Sequence, residues 1–287
     1  MSARLRGIAR ETVAAVDAGG YTAPDGRWVP LADAVAAARA GTRVYGPGPV
    51  AVPPREPGPT VVEVTGESSL EAARRLVAAA PDPVAVLNFA SARNPGGGFL
   101  NGAQAQEEAL CRASALDACL LAAPGFYDHH RADRDPLYSD RVIHTPAVPV
   151  FRDDRGRLLD APYAAGFLTS PAPNAGVVRR RTPERAAALP TVLARRAGRV
   201  LETAATCGYR RLVLGAWGCG VFQNDPAQVA AAFRTELRGR FQGYFSHIVF
   251  GVLDRTREAS TRGAFEAAFA GAVGADPAGP RGGAAER

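Results

Sequence analysis

At 287 residues, 47% of them apolar, the chain can bury one large core or two small ones, and no apolar stretch approaches the length that spans a membrane. The net charge is +6 and all 34 basic residues are arginine. Arginine suits bidentate binding of phosphate and a basic surface attracts polyanions, yet a GC-rich genome produces the same excess, so the charge permits a polyanionic substrate without requiring one. Cys111, Cys119, Cys207 and Cys219 form no CxxC pair, and His129, His130, His144 and His247 have no zinc spacing, so reduced thiols and no structural metal are expected. The first residues are basic but lack the apolar run of a signal peptide, which places the expected location in the cytoplasm.

Residues 1–59 read as an accessory region: helices over 3–18 and 31–40, each ended by glycine, then an extended connector dense in proline and glycine over 46–59. The helices are expected to pack on a main domain of residues 60–271. There 60–64 is a strand, and Ser68 or Ser69 caps a helix to about residue 80 with Glu71 in its first turn. Residues 84–89 are an apolar run without alternation, as in a strand buried on both faces. Pro95-Gly96-Gly97-Gly98 breaks regular structure, and 103–121, rich in Ala, Leu and Glu, is predicted as one helix.

Residues 125–141 read as polar, aromatic and irregular. A strand over 142–151 is interrupted by Pro146 and Pro149, 153–156 turns, and 163–169 is a further strand ending in the rigid loop 170–174. Arg179-Arg180-Arg181 falls in an exposed loop, either a solvated turn or a polymer contact. Then come a helix over 189–207, a buried strand over 211–216, a helix over 226–238 capped by Asp225, a buried strand over 247–253 and a helix over 262–270. Residues 272–287, rich in Gly, Ala and Pro, read as a disordered tail, and no internal repeat is present. Strands alternating with helices predict an α/β sheet covered on both faces, with ligands at the carboxyl ends of strands. The loops after residue 89, over 170–174 and over 217–222 can therefore converge on one cleft.

Strand, glycine loop, helix is the order that aims backbone N–H groups at an anion, usually a phosphate. The second glycine loop, Gly215-x-x-Gly218-x-Gly220, is weak alone. Two such loops after two buried strands can close over the two phosphates of a diphosphate. Glu107-Glu108 has two readings: acids favoured at the positive end of a helix, or an acid pair acting on a phosphorylated sugar. Neighbouring helical residues point about 100° apart, so one glutamate can act while the other binds a hydroxyl or supports the loop. The helix end lowers a glutamate pKa while burial and a ligand diphosphate raise it, and a general acid must hold its proton when it acts. Phe222 is either a core side chain or an aromatic wall for a ribose. Tyr127, His129 and His130 read as a structured loop, and Cys219, with no His or Asp at a recognisable offset, as a packed thiol.

The run Asn88-Phe-Ala-Ser-Ala-Arg-Asn-Pro-Gly-Gly-Gly-Phe99, followed after a short spacer by Gln106-Glu107-Glu108, closely resembles the signature of poly(ADP-ribose) glycohydrolases of the shorter, bacterial type. The resemblance extends to 62–75, 215–224 and 249–254 and covers most of residues 60–270. It implies a macrodomain-like three-layer α/β/α sandwich with a mixed central sheet that binds ADP-ribose. By that likeness Gly96, Gly97 and Gly98, with Gly218, Gly220 and Val221, would hold the diphosphate. Glu107 would bind the terminal ribose hydroxyls, Glu108 would be the catalytic acid, and Phe222 would press on that ribose. Asn88, Phe99 and Gln106, within the same motif, join the substrate-binding set. The implied substrate is poly(ADP-ribose) or another ADP-ribosylated macromolecule, with ADP-ribose as product, no cofactor or metal, no membrane, and transient contact with nucleic acid through the substrate. Removal of ADP-ribose from DNA or protein side chains, an ADP-ribose reader without activity, and a nucleic-acid-binding module are the alternatives.

Overall fold

The computed structural model describes residues 2–271, so the tail expected over 272–287 lies outside the described residues. In the first segment Ser2 caps α1 (Ala3–Asp17) by accepting from the Leu5 N–H, and Gly19, at φ +75°, turns the chain. Sequence reading expected only helices before residue 60. Two three-residue strands, β1 (Gly20–Thr22) and β2 (Trp28–Pro30), instead pair as a hairpin. After α2 (Ala32–Gly41), β3 (Arg43–Tyr45) joins the main sheet beside a later strand. Strands of three residues are too short to show a period of two, which is why they were illegible.

The main segment runs β4 (Val61–Thr65), α3 (Ser69–Ala79) and β5 (Val84–Phe89). Ser68 and Glu71 form a reciprocal capping box at the start of α3. The helix expected over 103–121 is two, α4 (Gln106–Ala113) and α5 (Leu116–Leu120). Ser114 breaks it: its backbone swings to φ −145° and bridges Val150, while its hydroxyl accepts from the Leu116 N–H at 3.2 Å and donates to the Leu110 carbonyl at 2.7 Å. The stretch expected to be irregular holds α6 (Pro124–Ala132). Proline opens it and Phe126, Tyr127 and His130 form a buried face, so its polar residues mask an amphipathic helix.

Then come β6 (Val142–Arg152) and β7 (Leu158–Ser170), both longer than expected; β6 carries Pro146 at a register shift between Thr145 and Val148, with Ala147 at φ +45°. The order closes with α7 (Ala175–Arg181), α8 (Leu189–Thr206), β8 (Arg211–Gly215), α9 (Pro226–Arg238), β9 (His247–Gly251) and α10 (Ser260–Phe269). The exposed Arg179, Arg180 and Arg181 form the last turn of α7 rather than a loop.

The sheet has seven strands in the order β3-β6-β7-β5-β8-β9-β4. Pairs from β7 to β4 are parallel, and β3–β6 and β6–β7 are antiparallel, which makes the sheet mixed. Alternate residues of the central strands feed two cores. Val84, Val86, Val213 and Val249 pack toward α1 to α6, and Ala85, Leu87, Leu212, Leu214, Ile248 and Phe250 toward α8, α9 and α10. Each such fully buried Val, Leu, Ile or Phe side chain contributes roughly 1.5–3 kcal/mol. The result is the three-layer α/β/α sandwich, with parallel strand ends gathered along one edge.

Candidate functional site

Along that edge the ends of β4, β5, β8 and β9 open on a cleft of about 1300 Å³. Its central wall is the junction of β5, the loop Ser91–Gly102 and the first turn of α4. Ala105, the residue before α4, gives no side-chain cap. The acids of the first turn sit at the positive end of the helix and accept from backbone N–H groups of the preceding loop, Ser91 and Gly98.

The two glutamates diverge. Glu107 turns inward and is 2% exposed. Its Oε1 accepts from Asn88 Nδ2 at 3.2 Å and its Oε2 from the Ser91 N–H at 2.6 Å. Burial pushes its carboxyl up to about 8, overriding the two hydrogen bonds that favour the charged form; nearby Glu108 and Asp117 push the same way. Glu108 faces the cleft. Its Oε1 accepts from the Gly98 N–H at 2.9 Å, and its Oε2 has no hydrogen-bond partner among the described residues.

Gly97 adopts φ +57°, and a Cβ there would fall onto Glu108 Oε1 and lie 3.1 Å from Glu107 Oε2. Glycine is required at this point both for the backbone and for the space the acids occupy. The three glycines do not share one role. Gly97 and Gly98 line the cleft, whereas Gly96, at φ +64°, is buried, and a Cβ on it would meet Asp117 Oδ1 at 2.9 Å.

Three further residues of the expected binding set are committed to the protein's own packing and hydrogen bonds. Phe99 is 2% exposed and belongs to the core. Asn88 is wholly buried, donating to Glu107 and to Thr169 Oγ1 at 3.1 Å, so it positions an acid. Gln106 reaches the cleft wall, but its amide is taken: Oε1 accepts from the Phe89 N–H at 2.9 Å, and Nε2 donates to the Leu87 carbonyl at 2.8 Å and to Ser69 Oγ at 3.0 Å. Gln106 thus replaces a missing strand partner at the end of β5 and locks α4 to the sheet.

The second glycine loop is built differently. Trp217 is fully buried and donates from Nε1 to the Ser170 carbonyl at 2.9 Å. Asn224 donates to the Pro173 and Gly218 carbonyls at 2.8 and 3.1 Å. Gly218 is at φ +71°, with Ala172 and Asn224 where a Cβ would go. Gly220 has open space around it, and Val221 is 77% exposed. Phe222 is half-buried on the cleft wall, its ring 5.8 Å from that of Tyr138. The loop 170–174, expected to join the cleft, instead stands behind this second loop and holds it, because its prolines and Ala172 are buried.

Sequence reasoning missed Arg93 and Tyr138 beside Phe222, and Ser68, Asp154, Asp254 and Thr261 at the end formed by β4 and β9. The strand-end rule applied to β9 would have found the last two; Tyr138 carries no local signal. His130 is structural: its Nδ1–H donates to the Phe126 carbonyl at 2.8 Å, and Nε2 accepts from Ser139 Oγ at 2.8 Å. Burial lowers it to about 4, which keeps it neutral. Cys219 is a packed thiol pushed up to about 12 by burial. Chemically, the cleft offers backbone N–H groups for an anion, an aromatic wall, and a carboxyl held by one oxygen with the other unpartnered.

Residues 9–153 match the family described as microbial-type PARG, catalytic domain. Among solved structures, the chain is similar to poly(ADP-ribose) glycohydrolase from Thermomonospora curvata, at 53% identity over 93% of this chain and 100% of that one, with a TM-score of 0.88. The same enzyme bound to the inhibitor ADP-HPD matches at 53% identity, over 93% of this chain and 99% of the other, with a TM-score of 0.85. Poly(ADP-ribose) glycohydrolase from Deinococcus radiodurans in complex with ADP-ribose matches at 46% identity, over 85% of this chain and 99% of that one, with a TM-score of 0.78. No curated protein matches the sequence.

Proposed function

This chain belongs to the microbial-type poly(ADP-ribose) glycohydrolase family, and on that premise we propose that it releases ADP-ribose mainly from the ends of poly(ADP-ribose) chains, with Glu108 as the acid. It is a glycoside hydrolase of poly(ADP-ribose) that binds ADP-ribose. One observation carries the assignment of the acid. Glu108 lines the cleft, is fixed through Oε1 by the Gly98 N–H, and keeps a buried Oε2 with no hydrogen-bond partner among the described residues. A carboxyl held in this way can present a proton in one direction.

Gly218, Gly220 and Val221 take the diphosphate through backbone N–H groups, while Gly97 and Gly98, whose N–H groups donate to the Asn94 carbonyl and Glu108 Oε1, let it approach the first loop closely. Phe222 presses on the terminal ribose. Glu107 binds that ribose's hydroxyls, and its raised carboxyl lets it donate as well as accept near neutral pH. Glu108 protonates the oxygen that leaves. Positive charge grows at the anomeric carbon, where the substrate's own diphosphate stabilises it. Water then attacks and Glu108 takes its proton. Protonation activates the leaving group, so this route draws on no metal.

The buried acid pair disfavours a mere reader, which needs the phosphate loops but no positioned carboxyl. Contact with nucleic acid is expected only through an ADP-ribosylated substrate. Buried Cys111 and Cys119, both free thiols, support a reducing compartment, the cytoplasm. No helix among the described residues is long and apolar enough to cross a membrane.

The test is release of free ADP-ribose by wild type and Glu108→Gln from poly(ADP-ribose) and from ADP-ribosylated DNA. Release from the polymer should fall by about 10²- to 10⁴-fold in the variant while ADP-ribose still binds. A near-normal rate removes Glu108 from the acid's role. Release by wild type from DNA alone would keep the chemistry and change the substrate.

A further inference from the structure

One cation in the cleft is not used by the route above. Arg93 lies three residues before the glycine triplet and lines the cleft half-buried. Its Nε donates to the His130 carbonyl at 3.0 Å, which fixes the stem, and its guanidinium sits 5.8 Å from the centre of the Tyr138 ring. Among the described residues no carboxylate lies within ion-pair distance of it, and its two terminal nitrogens donate no hydrogen bond. A guanidinium anchored by one nitrogen, with its fork left over, is prepared to bind two oxygens of a phosphate.

The plate beside it is also fixed. Tyr138 adopts φ +57°, a conformation costly for an aromatic residue, so the surroundings must enforce it. They do so from both sides. The carbonyl of Leu137 accepts from Arg196 Nη2 at 2.7 Å, and Ser139 Oγ donates to His130 at 2.8 Å. Arg196 is itself fully buried on α8 and paired with Asp140 at 3.0 Å.

Position along the sheet gives the direction. Ser68 and Asp254 mark the end of the cleft at β4 and β9, Gly218 to Phe222 follow β8, and the acids follow β5. Arg93 follows β5, and Tyr138 precedes β6, on the far side of β5 and β7 from β9. With the diphosphate over the β8 loop and the terminal ribose at Glu107 and Glu108, the group leaving that ribose extends toward Arg93. We propose that Arg93, held against the Tyr138 ring, forms a subsite beyond the scissile bond that binds a phosphate of the next ADP-ribose unit. The subsite rests on the function proposed above and adds its leaving side, with Arg93 selecting for polymer over leaving groups that carry no phosphate.

The experiment compares kcat/KM of wild type, Arg93→Ala and Arg93→Lys on two substrates: poly(ADP-ribose), and ADP-ribose bearing an uncharged aryl group at the anomeric oxygen. The polymer-to-aryl ratio should fall about tenfold in Arg93→Ala, the worth of one charge-assisted hydrogen bond, and recover in part in Arg93→Lys. Arg93→Gln keeps a polar group near the His130 carbonyl and replaces the alanine variant if that one does not fold. An unchanged ratio, with both rates kept or both lowered alike, overturns the subsite and leaves the function standing. Wild type that cleaves the aryl glycoside but not the polymer overturns the function and takes the subsite with it. A loss in Arg93→Ala confined to ADP-ribosylated oligonucleotide overturns the assignment to polymer.

Discussion

The two glycine loops look alike in sequence and differ in what fills the space around them. At Gly97 the neighbours are the protein's own acids, and at Gly218 they are Ala172 and Asn224, but around Gly220 there is nothing within 4 Å. The first loop is shaped by the Glu107 and Glu108 carboxyls it cradles. The tip of the second is held from behind by Trp217 and Asn224 and is left open in front. A glycine can thus be required by the fold, by a neighbouring acid or by a ligand, and only the second and third bear on chemistry.

The contrast can be broken by substitution. Gly97→Val should have the largest effect among the glycines. It adds a β-branched side chain at positive φ where Glu108 already sits, and should lower ADP-ribose affinity by at least about tenfold, with turnover lost as the acid is displaced. Unchanged affinity in a folded variant, by calorimetry, would reject the loop's role. Phe222→Ala comes next: removal of one aromatic contact should raise KM for the polymer by up to about tenfold, and steady-state kinetics with kcat alone reduced would argue against a ribose wall.

A pH series sharpens the comparison from the side of the buried acid. Glu107 moves from an ordinary value of 4.5 to about 8 on folding, and burial also raises half-buried Asp117 to about 6. Below 4.5 folded and unfolded chains are both protonated at Glu107 and its ionisation costs nothing. As pH rises to about 8 the unfolded chain ionises while the folded one still holds its proton, so stability falls across that window and levels above it. Thermal unfolding of Glu107→Gln should show a shallower decline between those limits; an identical slope would mean that Glu107 ionises normally. The smallest effect is expected at the open tip, where Gly220→Ala should leave the melting temperature unchanged and weaken ADP-ribose. Loss of stability with affinity intact would reverse the reading of that loop.

Legibility followed the physics of each element. β5 was readable because six apolar-rich residues between breaks are enough for a doubly buried strand, and α9 because Asp225 caps it ahead of a proline. The break at Ser114 was not readable, since a serine inside a helix-rich run signals nothing until Val150 pairs with it. α6 hid because its buried face is made of Phe126, Tyr127 and His130 amid charged neighbours. In the site, the motif named the acids, but no local pattern tells that Gln106 spends its amide on the end of β5 while Glu108, two residues on, faces the cleft. The Arg93–Tyr138 pair joins segments separated by 45 positions, a contact that arises only when β6 enters the sheet.

The strand order has a kinetic consequence. β4, near residue 61, pairs with β9, near residue 247, and β5 is enclosed only once β7 and β8 flank it. Pairings over such separations are slow, because a long loop must close before any contact stabilises it. A chain emerging from the ribosome therefore carries its acids early, in a sheet with unpaired edges, and acquires a working cleft last. Until about residue 251 has been made, the nascent protein exposes β4 with no partner, an unpaired edge open to pairing with other chains.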